Sequence, residues 1–333
     1  YNNSKHSDDM TAEFKRVIPN WRDIGGLTDA AVAELIAQDG IHLLADLSGL
    51  SAGGRMGVFA RRPAPVQVTW LGYFATTGLA TMDYVLASAA VLPEADEAHW
   101  LEKPWRLPGT YIAFSPPDDC PPVVEAPVLR NGYVTFGSFN NARKLSPATI
   151  ALWAEILRRL PGSRLVLRSS VRSASPEHAV GILRGFDDHG IEGDRISITP
   201  TISGYAEHLA SYGQVDIGLD THPFGGATTT CEALWMGVPV ISRVGDRYVS
   251  RMGENILTAI GRSEWIAADS ADYVEKAVEL SRDIRALNTE RQSLRQRVAA
   301  SPIGDIDGFA SSLANAFEGM WNIWSSKASR TPP

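Results

Sequence analysis

Residues 215–240, VDIGLDTHPFGGATTTCEALWMGVPV, narrow the folds open to this chain more than any other stretch. Val215, Ile217 and Leu219 alternate with polar or small residues, as a strand ending at Asp220 would. Residues 221–226 then make a turn, in which Pro223 and the Gly225-Gly226 pair let the backbone approach a ligand closely. Thr228, Thr229 and Thr230 open a helix that runs through Ala233, Leu234 and Met236 and stops at Gly237, with Pro239 just beyond. A second strand follows. Strand, loop, helix and strand in that order build a parallel sheet, with the helix N-terminus at the carboxyl edge. Free N–H groups and the positive end of the helix dipole make that edge a site for a diphosphate.

Glu232 narrows the ligand further. It lies four residues beyond Thr228, one turn down the same face. A carboxylate there repels phosphate, but it can accept hydrogen bonds from the vicinal hydroxyls of a ribose. Threonines for diphosphate and a glutamate for ribose together point to a nucleoside diphosphate. The plainer alternative is a helix capped by its threonines, with a solvated glutamate.

The remaining chain repeats the alternation. A helix over 28–38 precedes an apolar strand at 41–47, and strands at 66–71 and 84–87 follow. Residues 115–128, SPPDDCPPVVEAPV, read as a linker. A second series comes after it: strands at 133–138, 164–168 and 196–198, and helices at 146–160, 176–189 and 203–213. The last helix, 306–327, places Ile306, Phe309, Leu313, Phe317 and Trp321 at helical spacing. Two open parallel sheets placed face to face would leave a cleft between them. The expected domains are 1–122, 123–304 and a C-terminal helix and tail at 305–333. An alternating domain would not begin on a loop such as Tyr1-Asn2-Asn3-Ser4, so the N-terminal domain is expected to be incomplete.

With 333 residues and a net charge of −7, the chain lacks the basic stripe of a nucleic-acid-binding surface. No run approaches the ~20 apolar residues that span a bilayer, and no secretory leader opens the sequence. Cys120 and Cys231, the only cysteines, suggest neither a disulfide framework nor a zinc site, so a cytoplasmic setting is expected. Asp305-Ile306-Asp307 has the acid-x-acid form of a metal motif, but at a helix start it reads as a cap. No metal or cofactor is expected, only a nucleotide sugar as substrate.

Three runs then carry a resemblance: RRPAPVQVTWLGYFATTGLATMDYVLAS (61–88), VTFGSFNNARKLSPATIALWAEILRRLPGSRLVL, and LDTHPFGGATTTCEALWMGVPVISRVGDRYVSR. Over residues 8–300 the chain resembles the catalytic region of the O-linked N-acetylglucosamine transferases (glycosyltransferase family 41), their bacterial relatives in particular. The plant SPINDLY protein O-fucosyltransferases share that family. The resemblance implies a two-domain GT-B fold and inverting, metal-independent transfer from UDP-N-acetylglucosamine to a protein Ser or Thr hydroxyl. It assigns Asn141 and Lys144 to the donor's diphosphate end and His208 to the base. Thr228, Thr229 and Thr230 would meet the diphosphate, and Glu232 the ribose. Chemistry agrees for Lys144, because an ammonium there neutralises charge building on a departing nucleoside diphosphate. The resemblance also makes His42 a catalytic candidate, although the strand IHLLADL equally suits a core histidine. Tyr73, Thr76 and Thr77 are expected to line the cleft from the N-terminal side.

The chain departs from the family at Ala227, Leu50 and Tyr205, where relatives carry two histidines and a lysine. Backbone groups near residues 200–203 are expected to read the base, leaving uracil and guanine both open. No general base stands out, so the acceptor proton would pass to the donor's own phosphate or to water. Relatives recruit acceptor proteins through tetratricopeptide repeats, which this sequence lacks. The alternatives are a GDP-fucose-dependent protein O-fucosyltransferase, a catalytically incomplete nucleotide-binding module and, ranked lower, an epimerase of the same fold.

Overall fold

Asp8 caps the first helix, α1 (Asp9–Val17), by accepting the Thr11 amide at 2.8 Å. Thr28 does the same for α2 (Asp29–Gln38). After these come β1 (Leu43–Asp46), the single-turn α3 (Met56–Phe59), β2 (Val66–Thr69), β3 (Tyr84–Ala87) and β4 (Lys103–Arg106). The strands form one parallel sheet in the order β1-β2-β3-β4. Every residue of β2 and β3 is buried, as a parallel sheet covered on both faces requires. Val32 and Ile36 of α2 pack on Leu44, Val58 and Phe59 to make the core here.

The second series runs α4 (Val128–Asn131), β5 (Thr135–Ser138), α5 (Pro147–Arg159), β6 (Arg164–Ser169), α6 (Pro176–Asp187), β7 (Ile196–Pro200) and α7 (Tyr205–Ala210). It continues through β8 (Ile217–Leu219), α8 (Thr228–Trp235), β9 (Val240–Arg243), α9 (Met252–Ala259), β10 (Ile266–Ala267), α10 (Ser270–Leu280) and α11 (Ile284–Ala299), and α12 (Ile306–Ala328) ends the chain's helices. Asp305, at the start of α12, accepts the Gly308 amide at 3.0 Å, a cap of the kind expected there. The six strands pair in parallel in the order β10-β9-β8-β5-β6-β7. The chain therefore moves outward from β5 through β6 and β7, then returns to the other side of β5 at β8. That reversal makes the β5/β8 boundary a topological switch point, where doubly wound sheets open a crevice at their carboxyl ends. Trp153, Ile156 and Leu157 of α5, with Phe136 and Leu165, are fully buried around it.

The computed structural model describes residues 1–169, 176–200, 202 and 204–328. They group into two units, Tyr1–Tyr111 with the stretch from Ser311, and Ile112–Ala310. The Trp321 ring of the C-terminal helix lies 4.6 Å from the His42 ring, both within the first unit. The proline-rich segment read as a linker is held against α11. Prolines leave its backbone short of donors but rich in carbonyls, and α11 supplies the donors. Arg291 gives Nε to the Val124 carbonyl at 2.7 Å, Arg295 gives Nη2 to that of Pro121 at 2.6 Å, and Asn288 accepts the Ala126 amide at 2.9 Å. No helix among the described residues is long and apolar enough to cross a membrane.

Candidate functional site

At the switch point, two loops meet: residues 139–146 after β5 and residues 220–227 after β8. Asp220 joins them. Only 3% exposed, it receives on Oδ1 the Asn140 side-chain amide at 3.1 Å and the Thr221 and Gly226 backbone amides at 2.9 and 2.7 Å. Ser242, at the end of β9, donates to Oδ2 at 2.7 Å. Burial pushes the Asp220 carboxyl above its ordinary range, while these donors and Lys144 pull it back. The turn itself is braced: Thr221 Oγ1 donates to the Phe224 carbonyl at 2.6 Å, and Thr149 Oγ1 to that of His222 at 2.8 Å.

Lys144 closes a short helical turn, 142–144, whose cap is Asn141. Its Nζ donates to the Gly225 carbonyl at 2.8 Å and sits 3.9 Å from the centre of the Phe224 ring. Burial lowers its pKa and Asp220 opposes that shift. An ammonium has three donors, so the bond to Gly225 leaves others for a ligand. Asn141 is exposed, and its carboxamide oxygen accepts the Arg143 amide at 3.0 Å. Its neighbour Asn140 is the buried one, accepting Thr229 Oγ1 at 2.9 Å while it donates to Asp220.

Helix α8 begins without a side-chain cap at Ala227. The Thr230 and Cys231 amides reach back to the Ala227 carbonyl, and no partner occupies those of Thr228 and Thr229 among the described residues. Thr228 is exposed at this end, whereas Thr230 is 3% exposed and turned inward. A methyl group at Gly226 would lie 2.6 and 2.7 Å from the Thr229 and Thr230 hydroxyls, so this position needs glycine for space.

Glu232, 5% exposed, is less available than a solvated helix face would make it. Its Oε2 receives the Tyr212 hydroxyl at 3.0 Å and stands 3.3 Å from His208 Nε2. His208 in turn lies among Phe139, Tyr212 and Tyr205, the last nearly parallel to it with ring centres 6.4 Å apart. Asp220, Asn140 and Tyr212 were not anticipated as site residues. Of the backbone expected to read the base, Thr201 and Ser203 lie outside the described residues.

The first unit redirects its candidates. His42 is exposed at the amino end of β1 and packs on Trp321. Open parallel sheets bind ligands at their carboxyl ends, and His42 stands at the opposite end of β1 from that edge. Thr76 Oγ1 and the Thr77 amide each donate to Glu102 at 2.6 Å, and the Thr77 hydroxyl also donates to it, which ties their turn to the residue just before β4. Tyr73 is half-buried, and a Cβ on Gly49 would meet its side chain at 2.2 Å. Among the described residues, no cluster of His, Cys, Asp or Glu could hold a metal.

Comparison with known proteins bears on this geometry. The chain is 38% identical over 307 residues to a probable UDP-N-acetylglucosamine–peptide N-acetylglucosaminyltransferase, SPINDLY, of Arabidopsis thaliana, covering 90% of this chain and 33% of that protein. It is 37% identical over 332 residues to the protein of the same description in Oryza sativa subsp. japonica, covering 96% of this chain and 35% of that one. It thus spans about one-third of the length of these curated relatives. A solved mutant of the Thermobaculum terrenum O-GlcNAc transferase superposes with a TM-score of 0.92 at 34% identity, over 98% of this chain and 62% of that chain. The fold is therefore of GT-B type, with two parallel-sheet α/β domains. The model of glycosyl transferase family 41 matches residues 8–114 and 126–313, and the chain belongs to that family.

Proposed function

We propose that this chain is the catalytic region of an inverting, metal-independent glycosyltransferase. It moves N-acetylglucosamine from UDP-N-acetylglucosamine to a Ser or Thr hydroxyl of a protein. The observation that carries this reading is the Lys144 ammonium on the Gly225 carbonyl, beside the uncapped start of α8 and at the switch point of the sheet. When the bond between the sugar and the diphosphate breaks, negative charge collects on the departing phosphate. Lys144, held on the Gly225 carbonyl, and the Thr228 and Thr229 amides would meet that charge with little reorganisation. Glu232 sits one turn deeper on the same helix, where the ribose follows the diphosphate. The names of the Arabidopsis and rice relatives support the donor and the peptide acceptor. Tetratricopeptide repeats outside this chain would recruit that acceptor, and a reducing cytoplasm suits its two free thiols.

A GDP-fucose donor is the second reading. Tyr205 keeps it open, because the aromatic surface it adds next to His208 suits a purine as well as a pyrimidine. Offering each nucleotide sugar with Ser/Thr peptides, and weighing the products by mass spectrometry, decides between them. A gain of one N-acetylhexosamine from the uridine donor is expected. Lys144→Ala should slow it by about 10²- to 10³-fold, the scale for losing one preorganised charge stabiliser. Nucleotide binding without transfer from either donor would sink the enzymatic reading and leave a nucleotide-binding module.

A further inference from the structure

We propose that Tyr212 is a positioning residue that holds Glu232 for the donor's ribose, and that the pair sets a preference for ribonucleotides over deoxyribonucleotides. The inference rests on the nucleotide-sugar reading above. Tyr212 stands on the short turn after α7, 3% exposed, with its ring 4.2 Å from that of Phe139 and edge-on to His208 at 5.7 Å. Packing on two sides leaves the phenol one direction, towards α8. There its oxygen is 3.0 Å from Glu232 Oε2 and 3.2 Å from the Thr229 carbonyl. One proton cannot serve both fully, and the carboxylate is the stronger acceptor. Burial and the Glu232 charge push the Tyr212 hydroxyl well above its ordinary pKa, so it stays a donor.

The consequence is asymmetric. A buried carboxylate must be hydrogen-bonded; Tyr212 and His208 both address Oε2, and the Tyr205 hydroxyl also bears on the carboxylate from the exposed side. Oε1 is the oxygen that Tyr212 and His208 leave for an incoming hydroxyl. Held in this way, Glu232 cannot swing to recover a partner when that hydroxyl is missing. A site built to bond a hydroxyl rejects the analogue lacking it far more strongly than an adaptable one does. Without the Tyr212 hydroxyl the carboxylate is freer to turn, and discrimination fades.

The test is calorimetric binding of UDP and 2′-deoxy-UDP, with GDP and 2′-deoxy-GDP alongside, to the chain and to Tyr212→Phe. The unsubstituted chain should prefer the ribonucleotide by about 10- to 100-fold, the value of one hydrogen bond to a charged acceptor. In Tyr212→Phe that ratio should fall below about 3, through weaker ribonucleotide binding with deoxyribonucleotide binding little changed. A merely structural role would weaken both ligands together and leave the ratio intact, which would overturn the proposal. Should Tyr212→Phe not fold, Glu232→Gln and the double variant Tyr212→Phe/Glu232→Gln avoid stranding a buried charge. Equal ratios in those two are expected if Tyr212 acts through Glu232, and a further loss in the double variant would refute that. Equal binding of both sugars by the unsubstituted chain defeats this inference alone. Binding of neither nucleotide defeats the functional reading beneath it.

Discussion

Glu102 in the first unit and Asp220 in the second are both almost fully buried, at 1% and 3% exposure. Glu102 fills its oxygens from one turn, with the Thr76 hydroxyl on Oε2 and the Thr77 amide and hydroxyl on Oε1. Asp220 draws donors from three strand ends: Asn140 after β5, Thr221 and Gly226 after β8, and Ser242 on β9. One carboxylate ties a loop to its neighbour. The other gathers the loops that hold the Lys144 ammonium on the Gly225 carbonyl beside the uncapped start of α8. Burial of a charge is therefore no mark of a functional site by itself. What distinguishes the two is how many separate chain segments converge on the carboxylate, and what those segments still have free to offer.

Removing each carboxylate separates the two roles, and this is the largest expected effect. Glu102→Ala and Asp220→Ala both strand buried donors, so each should lose about 3 kcal/mol or more of unfolding free energy in urea. Nucleotide affinity in the folded fraction should drop only in Asp220→Ala. If Glu102→Ala weakened it equally, the contrast between the two units would be wrong. Gly226→Ala is a milder intervention in the same loop. Its methyl would press on the Thr229 and Thr230 hydroxyls, and the expected loss is about tenfold in nucleotide affinity, close to the cost of one displaced hydrogen bond. Isothermal calorimetry beside a thermal melt would check it. An unchanged affinity would mean that the close packing at Gly226 is irrelevant to the ligand.

The second unit was legible where its chemistry is local. The glycine turn, the threonine-opened helix and the strand before it occupy one stretch of sequence, and β8, α8 and β9 lie where that pattern put them. What escaped depends on partners far along the chain. Asn140 and Asn141 are adjacent and chemically identical, and only the turn of the backbone sends the first inward to Asp220 and the second to solvent. Tyr212 reaches Glu232 across 20 residues. Prolines in the segment after Tyr111 spelled a linker, yet the guanidinium groups of Arg291 and Arg295 capture its carbonyls. Strand β4, Lys-Pro-Trp-Arg, has no apolar alternation to betray it. In the first unit, nothing near Thr76 and Thr77 in the sequence announced their bonds to Glu102, 26 and 25 residues on.

The smallest effect is also the most diagnostic of how Asp220 works. On the proposed reading Lys144 meets a diphosphate as an ammonium, and burial lowers its pKa from the ordinary 10.5 while Asp220 opposes the shift. A lowered lysine pKa means that charge is lost sooner as pH rises, so nucleotide affinity should fade on the alkaline side before an ordinary lysine would titrate. Asp220→Asn keeps the carbonyl oxygen that receives the Asn140, Thr221 and Gly226 donors but removes the negative charge. Lys144 then has nothing opposing desolvation, and the alkaline limb should move to lower pH. Binding near neutral pH should change little. Asp220 itself is pushed upward by burial, which sets a clear alternative. A carboxyl already protonated across the alkaline range would give Lys144 no support, and the limb would stay where it is in Asp220→Asn. Affinity measured against pH for the two chains therefore distinguishes a carboxylate that sustains the lysine's charge from one that only gathers backbone donors.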